Sequence, residues 1–235
     1  EEQPSFPTEE EVSGHWQLHE VFAGDAQEPF CDYIDRIQNE FFRFDDDNGV
    51  HHVAEYEIFA QGSNNTWSLS KDTLTIGGLG VFRVEAASPD QLELVPVNLF
   101  GLRLIYKSIA EEEFPEIVFD ATIDGQTVNT SNAVVDEYDT HYTLYGDGVS
   151  FWMAVNLPGT VRTGDTFDLS SEEAGVGVLV IRNDHEYGYR KSGLITVVKK
   201  TDRYINITLD VVVADADDNQ VAITDGVIGS LTFAR

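Results

Sequence analysis

Asn65-Thr66-Trp67-Ser68-Leu69-Ser70-Lys71-Asp72-Thr73-Leu74-Thr75-Ile76 is the stretch whose reading decides the fold. Trp67 and Leu69 alternate with polar neighbours, Ser70-Lys71-Asp72 turns the chain, and Leu74 and Ile76 alternate again. A period of two with one apolar face is the pattern of a half-buried antiparallel hairpin.

Working outward, similar units flank it on both sides. Upstream, Gly14 to Phe22 alternates with Trp16 and Leu18 on one face. Residues 31–37 and Glu40-Phe41-Phe42-Arg43-Phe44 read as further strands, and Asn48-Gly49 supplies the positive φ of a tight turn into Val50 to Phe59. Downstream, Val81 to Glu85, Gln91 to Val95 and Leu102 to Lys107 continue the meander. Regular short strands joined by hairpin-length turns favour an up-and-down barrel, which leaves no sheet edge exposed. The acidic run at 110–116, broken by Pro115, reads as a linker.

Beyond it the strands restart. Glu116 to Ile123 runs into an Asp124-Gly125 turn, and His141 to Tyr145 is expected to end in a Gly146-Asp147-Gly148 turn before Ser150 to Val155. Leu194 to Val198 and Tyr204 to Val213 read as a long antiparallel pair, and Val227 to Phe233 as a closing strand. This spacing fits a two-sheet sandwich. The expected organisation is therefore all-β: a tether over 1–11, a barrel over 12–109, a linker over 110–116 and a sandwich over 117–235.

Charge narrows the function. Asp and Glu number 42 against 14 Lys and Arg, a net charge of −28. Phosphate backbones would repel such a chain, so nucleic acid is not an expected partner. No run approaches the roughly 18–20 apolar residues of a membrane helix. Cys31 is the single cysteine, so no intramolecular disulfide forms. Glu1 to Glu11 carries five glutamates and two prolines and reads as a flexible tether following a removed export signal.

Catalytic signatures are missing: there is no Gly-x-Ser-x-Gly elbow, no phosphate loop and no dinucleotide fingerprint, and Cys31 has no motif-level histidine partner. The expected protein is not an enzyme and uses no cofactor or metal. His15 and His19 share a strand face but stand about 13 Å apart, too far to share a zinc ion. They and the His51-His52 pair are expected to be solvated or edge residues. Asp215 to Gln220 begins like a calcium loop but has Gln220 where the motif needs glycine, so a turn between Val213 and Val221 is the simpler reading. Asp45-Asp46-Asp47 likewise reads first as a hairpin tip.

Aromatic residues are the better ligand candidates. Trp16, Phe42, Phe44, Tyr56, Trp67 and Phe82 are placed to line a barrel cavity, unless the barrel fills its interior with these same side chains. In the second half, Tyr138, Tyr142, Tyr145, Phe151, Trp152, Tyr187 and Tyr189 are crowded together. There His185-Glu186-Tyr187-Gly188-Tyr189-Arg190 is expected as a loop mixing ring and charge.

Residues 12–108 resemble the lipocalin-like domains of exported bacterial lipoproteins, especially those of Bacteroidetes. The resemblance rests on Gly14-x-Trp16-x-Leu18, Cys31, Phe42-x-Phe44 before the acidic turn, the 66–76 hairpin and Leu92-x-Leu94. Residues 116–235 are similar to an immunoglobulin-like second domain of such lipoproteins. Its carriers are Phe119-x-Ala121-x-Ile123-Asp124-Gly125, the block 192–197 and Val221-x-Ile223-Thr224-Asp225-Gly226. The resemblance implies an exported monomer at the outer membrane, cell surface or periplasm, held to the membrane only through a lipid on a cysteine outside this sequence. It implies no catalytic residue. A small apolar molecule or a glycan is the expected ligand; the alternative is a structural component docking to an envelope protein.

Overall fold

The computed structural model describes residues 6–29, 37–57, 59–99, 101–130, 132–148, 151–171 and 175–234. Most of the strand expected over 31–37, Cys31 included, lies outside them. The chain divides into two compact units, one from the first half and one from the second, with residues 59–61 counted in the second.

The first unit is a closed β-barrel. Its strands are β1 (Gly14–Ala23), β3 (Asn39–Phe44), β4 (Gly49–Glu55), β5 (Ala60–Ser70), β6 (Thr73–Ile76), β7 (Gly80–Ser88), β8 (Gln91–Pro96) and β9 (Leu102–Ser108). A short β2 (Ala26–Glu28) hairpins back onto β1. Each barrel strand neighbours the next along the chain, and β9 returns to β1 with Trp16 opposite Ser108 and Ala23 opposite Leu102. A bulge between Leu18 and Glu20 re-aims β1 within that closure, so Trp16, Leu18 and Val21 are all buried.

The deciding hairpin forms with Trp67 opposite Ile76 and Leu69 opposite Leu74; Lys71 takes φ 58° at its two-residue tip. The hairpin joining β3 to β4 places Asn48 at φ 66°. Alternation then sends Trp16, Phe42, Phe44, Trp67, Leu74, Ile76, Phe82, Leu92, Leu94, Leu104 and Tyr106 into one buried cluster. Burying each large side chain contributes about 1.5–3 kcal/mol before entropy is counted.

Two segments read as connectors contribute to packing. Glu9–Val12 forms one helical turn, capped by reciprocal bonds between Thr8 and Glu11, so the last part of the expected tether is ordered. It delivers Val12 into the core cluster, where its carbonyl accepts the Trp16 indole N–H at 2.8 Å. In the expected linker, a 3-10 turn at Glu111–Glu113 precedes Phe114, which is buried against His15, Phe41 and Arg43.

The second unit contains β10 (Val118–Ile123), β11 (Gln126–Thr130), β12 (Ala133–Glu137), β13 (His141–Gly148), β14 (Phe151–Pro158), β15 (Thr166–Asp168), β16 (Gly177–Arg182), β17 (His185–Tyr187), β18 (Tyr189–Lys200), β19 (Tyr204–Ala214) and β20 (Gln220–Ala234). They form one curled sheet in the order β15-β18-β19-β20-β12-β13-β14-β16-β17, with the β10–β11 hairpin attached to β20. The Asp124-Gly125 turn forms as expected, with φ 46° and 79°. The long pair is β18 with β19. Strand β20 joins the two parts of the sheet: it pairs antiparallel with β19 and β10, and its last residues run parallel to β12.

One expected turn is not a turn. Gly146-Asp147-Gly148 continues β13, paired through to Phe151 on β14. A Cβ on Gly146 would lie 2.5 Å from the Phe119 ring, so glycine here makes room for that ring against β13. Phe119 also stacks on Phe151 with centroids 5.8 Å apart. A glycine serving close approach looks in sequence like a glycine serving a turn. The expected loop at 185–190 is also strand, the short β17 followed by the start of β18.

Candidate functional site

Exposure separates the ring candidates. Trp16, Phe42, Trp67 and Phe82 are 3%, 1%, 3% and 7% exposed. Phe42 stacks on Phe44 and on His52, and Trp67 meets the edge of Phe44 at 5.4 Å. The Trp67 indole donates to the Asp45 carbonyl. A ring lining a cavity wide enough for water keeps area on its open side, whereas these rings are nearly inaccessible. Among the described residues they are brought together as packing in one buried cluster. Tyr56 lies just past β4 and is half-buried.

The interior also holds a polar trio. Glu40 is 4% exposed and His52 8%. His52 Nε2 lies 2.8 Å from Glu40 Oε1, and the Tyr106 hydroxyl donates to Oε2 at 2.5 Å. His52 is therefore an interior residue and not a solvated one. A buried carboxylate persists only when its lone pairs are occupied, and each oxygen here has a partner. The signal was present in the strand period: Glu40, Phe42 and Phe44 share one face of β3, and Val50, His52 and Ala54 share one face of β4. Enclosed among apolar side chains, the trio fixes β3, β4 and β9 to one another.

His51, on the opposite face of β4, points to Asp45 at 3.3 Å, and Arg43 approaches the same carboxylate at 3.2 Å. The acidic run at 45–47 is thus a hairpin tip whose Asp45 is held by Arg43 and His51. Asp215 plays the same part in the β19–β20 turn. It accepts from the backbone N–H groups of Asp217 and Asn219, from the Asn219 side-chain amide and from His185 Nε2 at 2.7 Å. These bonds, the Asn219 amide first and His185 next, bring its pKa down to about 2. Among the described residues no group of three His, Cys, Asp or Glu side chains is placed to hold a metal ion.

In the second unit the same alternation turns rings outward. One face of β12, β13, β14 and β16 carries Val135, Leu144, Met153, Val155, Val178 and Val180, all buried. The other face can be read row by row from the register. Val134, Tyr145, Ala154 and Leu179 lie abreast; Asp136, Thr143 and Asn156 lie beside them; Asp147, Trp152, Ile181 and Glu186 form the third row. Tyr145 and Trp152 are half-exposed, with centroids 5.6 Å apart and planes tilted by 39°. Tyr138 stacks on His141 at 4.6 Å. Thr143 donates to the Asn156 side-chain oxygen at 2.8 Å, which orients an exposed amide.

A groove of about 430 Å³ runs over this face, lined by Asn132, Val134, Tyr145, Asp147 and Trp152 together with Phe59, Ala60 and Gln61. Burial raises the pKa of Tyr145, and the neighbouring Tyr138 and Asp136 raise it further. The sequence marks the crowding of rings here, but which of them face outward depends on the register. Tyr142 and Phe151, from the same crowd, are buried.

A second groove of about 500 Å³ is lined by β11 residues with Ile123, Gly148, Phe151, Arg182 and Asn183. Arg182 is ion-paired with Asp124 there. Among the described residues β11 pairs only with β10. Tyr187 and Tyr189 lie at the margin of the unit: Tyr187 is half-buried and edge-on to His185, and Tyr189 is 60% exposed. Among the described residues no helix is long and apolar enough to cross a membrane. Comparison with protein-family models, curated proteins and solved structures returned no match.

Proposed function

We propose that this chain is a non-catalytic, exported binding protein that holds a glycan on the outer face of its second unit. The observation that carries the reading is the pairing of half-exposed Tyr145 and Trp152 in one groove with the side chains of Asn132, Asp147 and Gln61. A sugar presents an apolar C–H face and a rim of hydroxyls. Rings take the first, and carboxylates and amides take the second. Of the two expected ligand classes a glycan suits this mixture better than a purely apolar molecule.

The finer family reading belongs to the same proposal: a lipocalin-like barrel, used here as a filled scaffold, followed by an immunoglobulin-like sandwich, on a lipid-anchored chain of the cell envelope. The face-to-face packing of Phe119 against Gly146 supports the sandwich, because it sets β10 as a second layer over β13. Tyr189 is a further ring for ligand contact at the margin of the unit.

The test is a glycan array probed with the full chain and with Trp152→Ala and Tyr145→Ala. Bound signals should fall about tenfold in either variant, the effect of removing an aromatic anchor. Signals unchanged in both variants would refute the site. A second reading, docking to an envelope protein, is favoured by one observation, the unpaired side of β11 beside its groove. It predicts co-purification from the native envelope that is lost on introducing proline at Val128.

A further inference from the structure

From the charge of the same face, and resting on the glycan reading above, we infer that the ligand is a neutral polysaccharide, one bearing neither carboxylate nor sulfate groups. The three rows of this face of β12, β13, β14 and β16 contain the exposed carboxylates Asp147 and Glu186, a buried one at Asp136, and no lysine or arginine. Asp136 acts electrostatically on the Tyr145 hydroxyl, so its charge is felt at the ring. Asp147 lines the groove directly opposite Trp152 in the strand register. Arg182, the nearest cation along β16, lies in the other groove and is held by Asp124. The whole chain adds a net charge of −28.

A sugar hydroxyl can donate to these carboxylates. A uronate or sulfate on the glycan would instead face them with no cation to answer its charge. At about 0.1 M salt the repulsion extends over a screening length of roughly 10 Å, about two strand spacings, so a charged group need not touch these carboxylates to be rejected. Aromatic stacking is indifferent to backbone type. Charge is therefore the property by which this face discriminates among polysaccharides.

The experiment is affinity electrophoresis of the full chain in gels containing hydroxyethylcellulose, dextran or mannan, each run against its carboxymethyl or sulfated derivative at about pH 8, where an ordinary imidazole is neutral. At least one neutral polymer should retard the protein, and its anionic counterpart should do so about tenfold less. Retardation by the neutral polymer should persist at about 0.5 M NaCl, where charge effects are screened. Trp152→Ala should lower it about tenfold. Asp147→Lys places a cation on the exposed rim and should raise retention by the anionic polymer relative to that by its neutral counterpart. Equal or stronger retention by the anionic derivative, lowered in Trp152→Ala, would overturn the charge assignment and leave the glycan site standing. Retardation by none of the six polymers would overturn both.

Discussion

The two units use aromatic residues in opposite ways. In the barrel, Trp16, Phe42, Phe44, Trp67 and Phe82 all point to the interior and are nearly inaccessible. On the outer face of the second unit, Tyr138, Tyr145 and Trp152 project from a sheet whose other face is closed by valine, leucine and methionine. Both arrangements follow from strand alternation, and only the parity of the ring positions differs. Where the rings face the core they stabilise the fold, and where aliphatic residues fill the core the rings are left at the surface. Counting rings therefore does not locate a site; their place in the register does.

The most forceful way to break this contrast is to delete a barrel ring. Phe42→Ala should cost about 3–5 kcal/mol, the range for a fully buried phenylalanine, read as a lowered urea midpoint. If it costs little, the interior is not packed as described. His52→Ala removes one partner of a buried carboxylate and should cost about 3 kcal/mol. His52→Ala combined with Glu40→Leu and Tyr106→Phe should recover part of that loss, since replacing the whole buried trio is milder than orphaning part of it.

In the second unit, Gly146→Ala drives a methyl into the Phe119 ring and should cost about 1–3 kcal/mol by overpacking. A neutral result would restore the turn reading of 146–148. Asp215 sharpens the comparison through pH. Its folded pKa of about 2 lies below the ordinary 3.8. The stability it contributes is therefore complete above the ordinary value and lost as pH falls from about 4 toward 2. Urea midpoints of the full chain over that interval should decline less steeply in Asp215→Asn than in the parent. Trp152→Ala should have the smallest stability effect, about 1 kcal/mol or less, while lowering glycan retention about tenfold. An effect as large as that of Phe42→Ala would class Trp152 with the core rings.

Much of the fold was legible because hairpins announce themselves locally. Trp67 to Ile76, Asn48-Gly49 and Asp124-Gly125 combine alternation with turn chemistry, and each formed where the pattern placed it. Gly146 was misread because its role is to admit Phe119, a residue 27 positions away in sequence, and no local pattern records that. His52 was misread because its neighbour His51 suggested an exposed pair, although parity with Val50 and Ala54 assigned it to the interior. The ring crowding of the second half was visible, but its division into buried Tyr142 and Phe151 and half-exposed Tyr145 and Trp152 required the register across three strands. The 185–190 segment carries enough polar residues to look like a loop, yet its backbone pairs with β16 and β19.

The most direct test of this division is acrylamide quenching of tryptophan fluorescence in the parent chain and in Trp152→Phe. Trp16 and Trp67 are each 3% exposed, whereas Trp152 is half-exposed. Quenching should be confined to one of the three tryptophans in the parent and should nearly vanish in Trp152→Phe. Strong quenching that survives in the variant would mean that Trp16 or Trp67 is reached through an open barrel, and the ligand would then belong inside it.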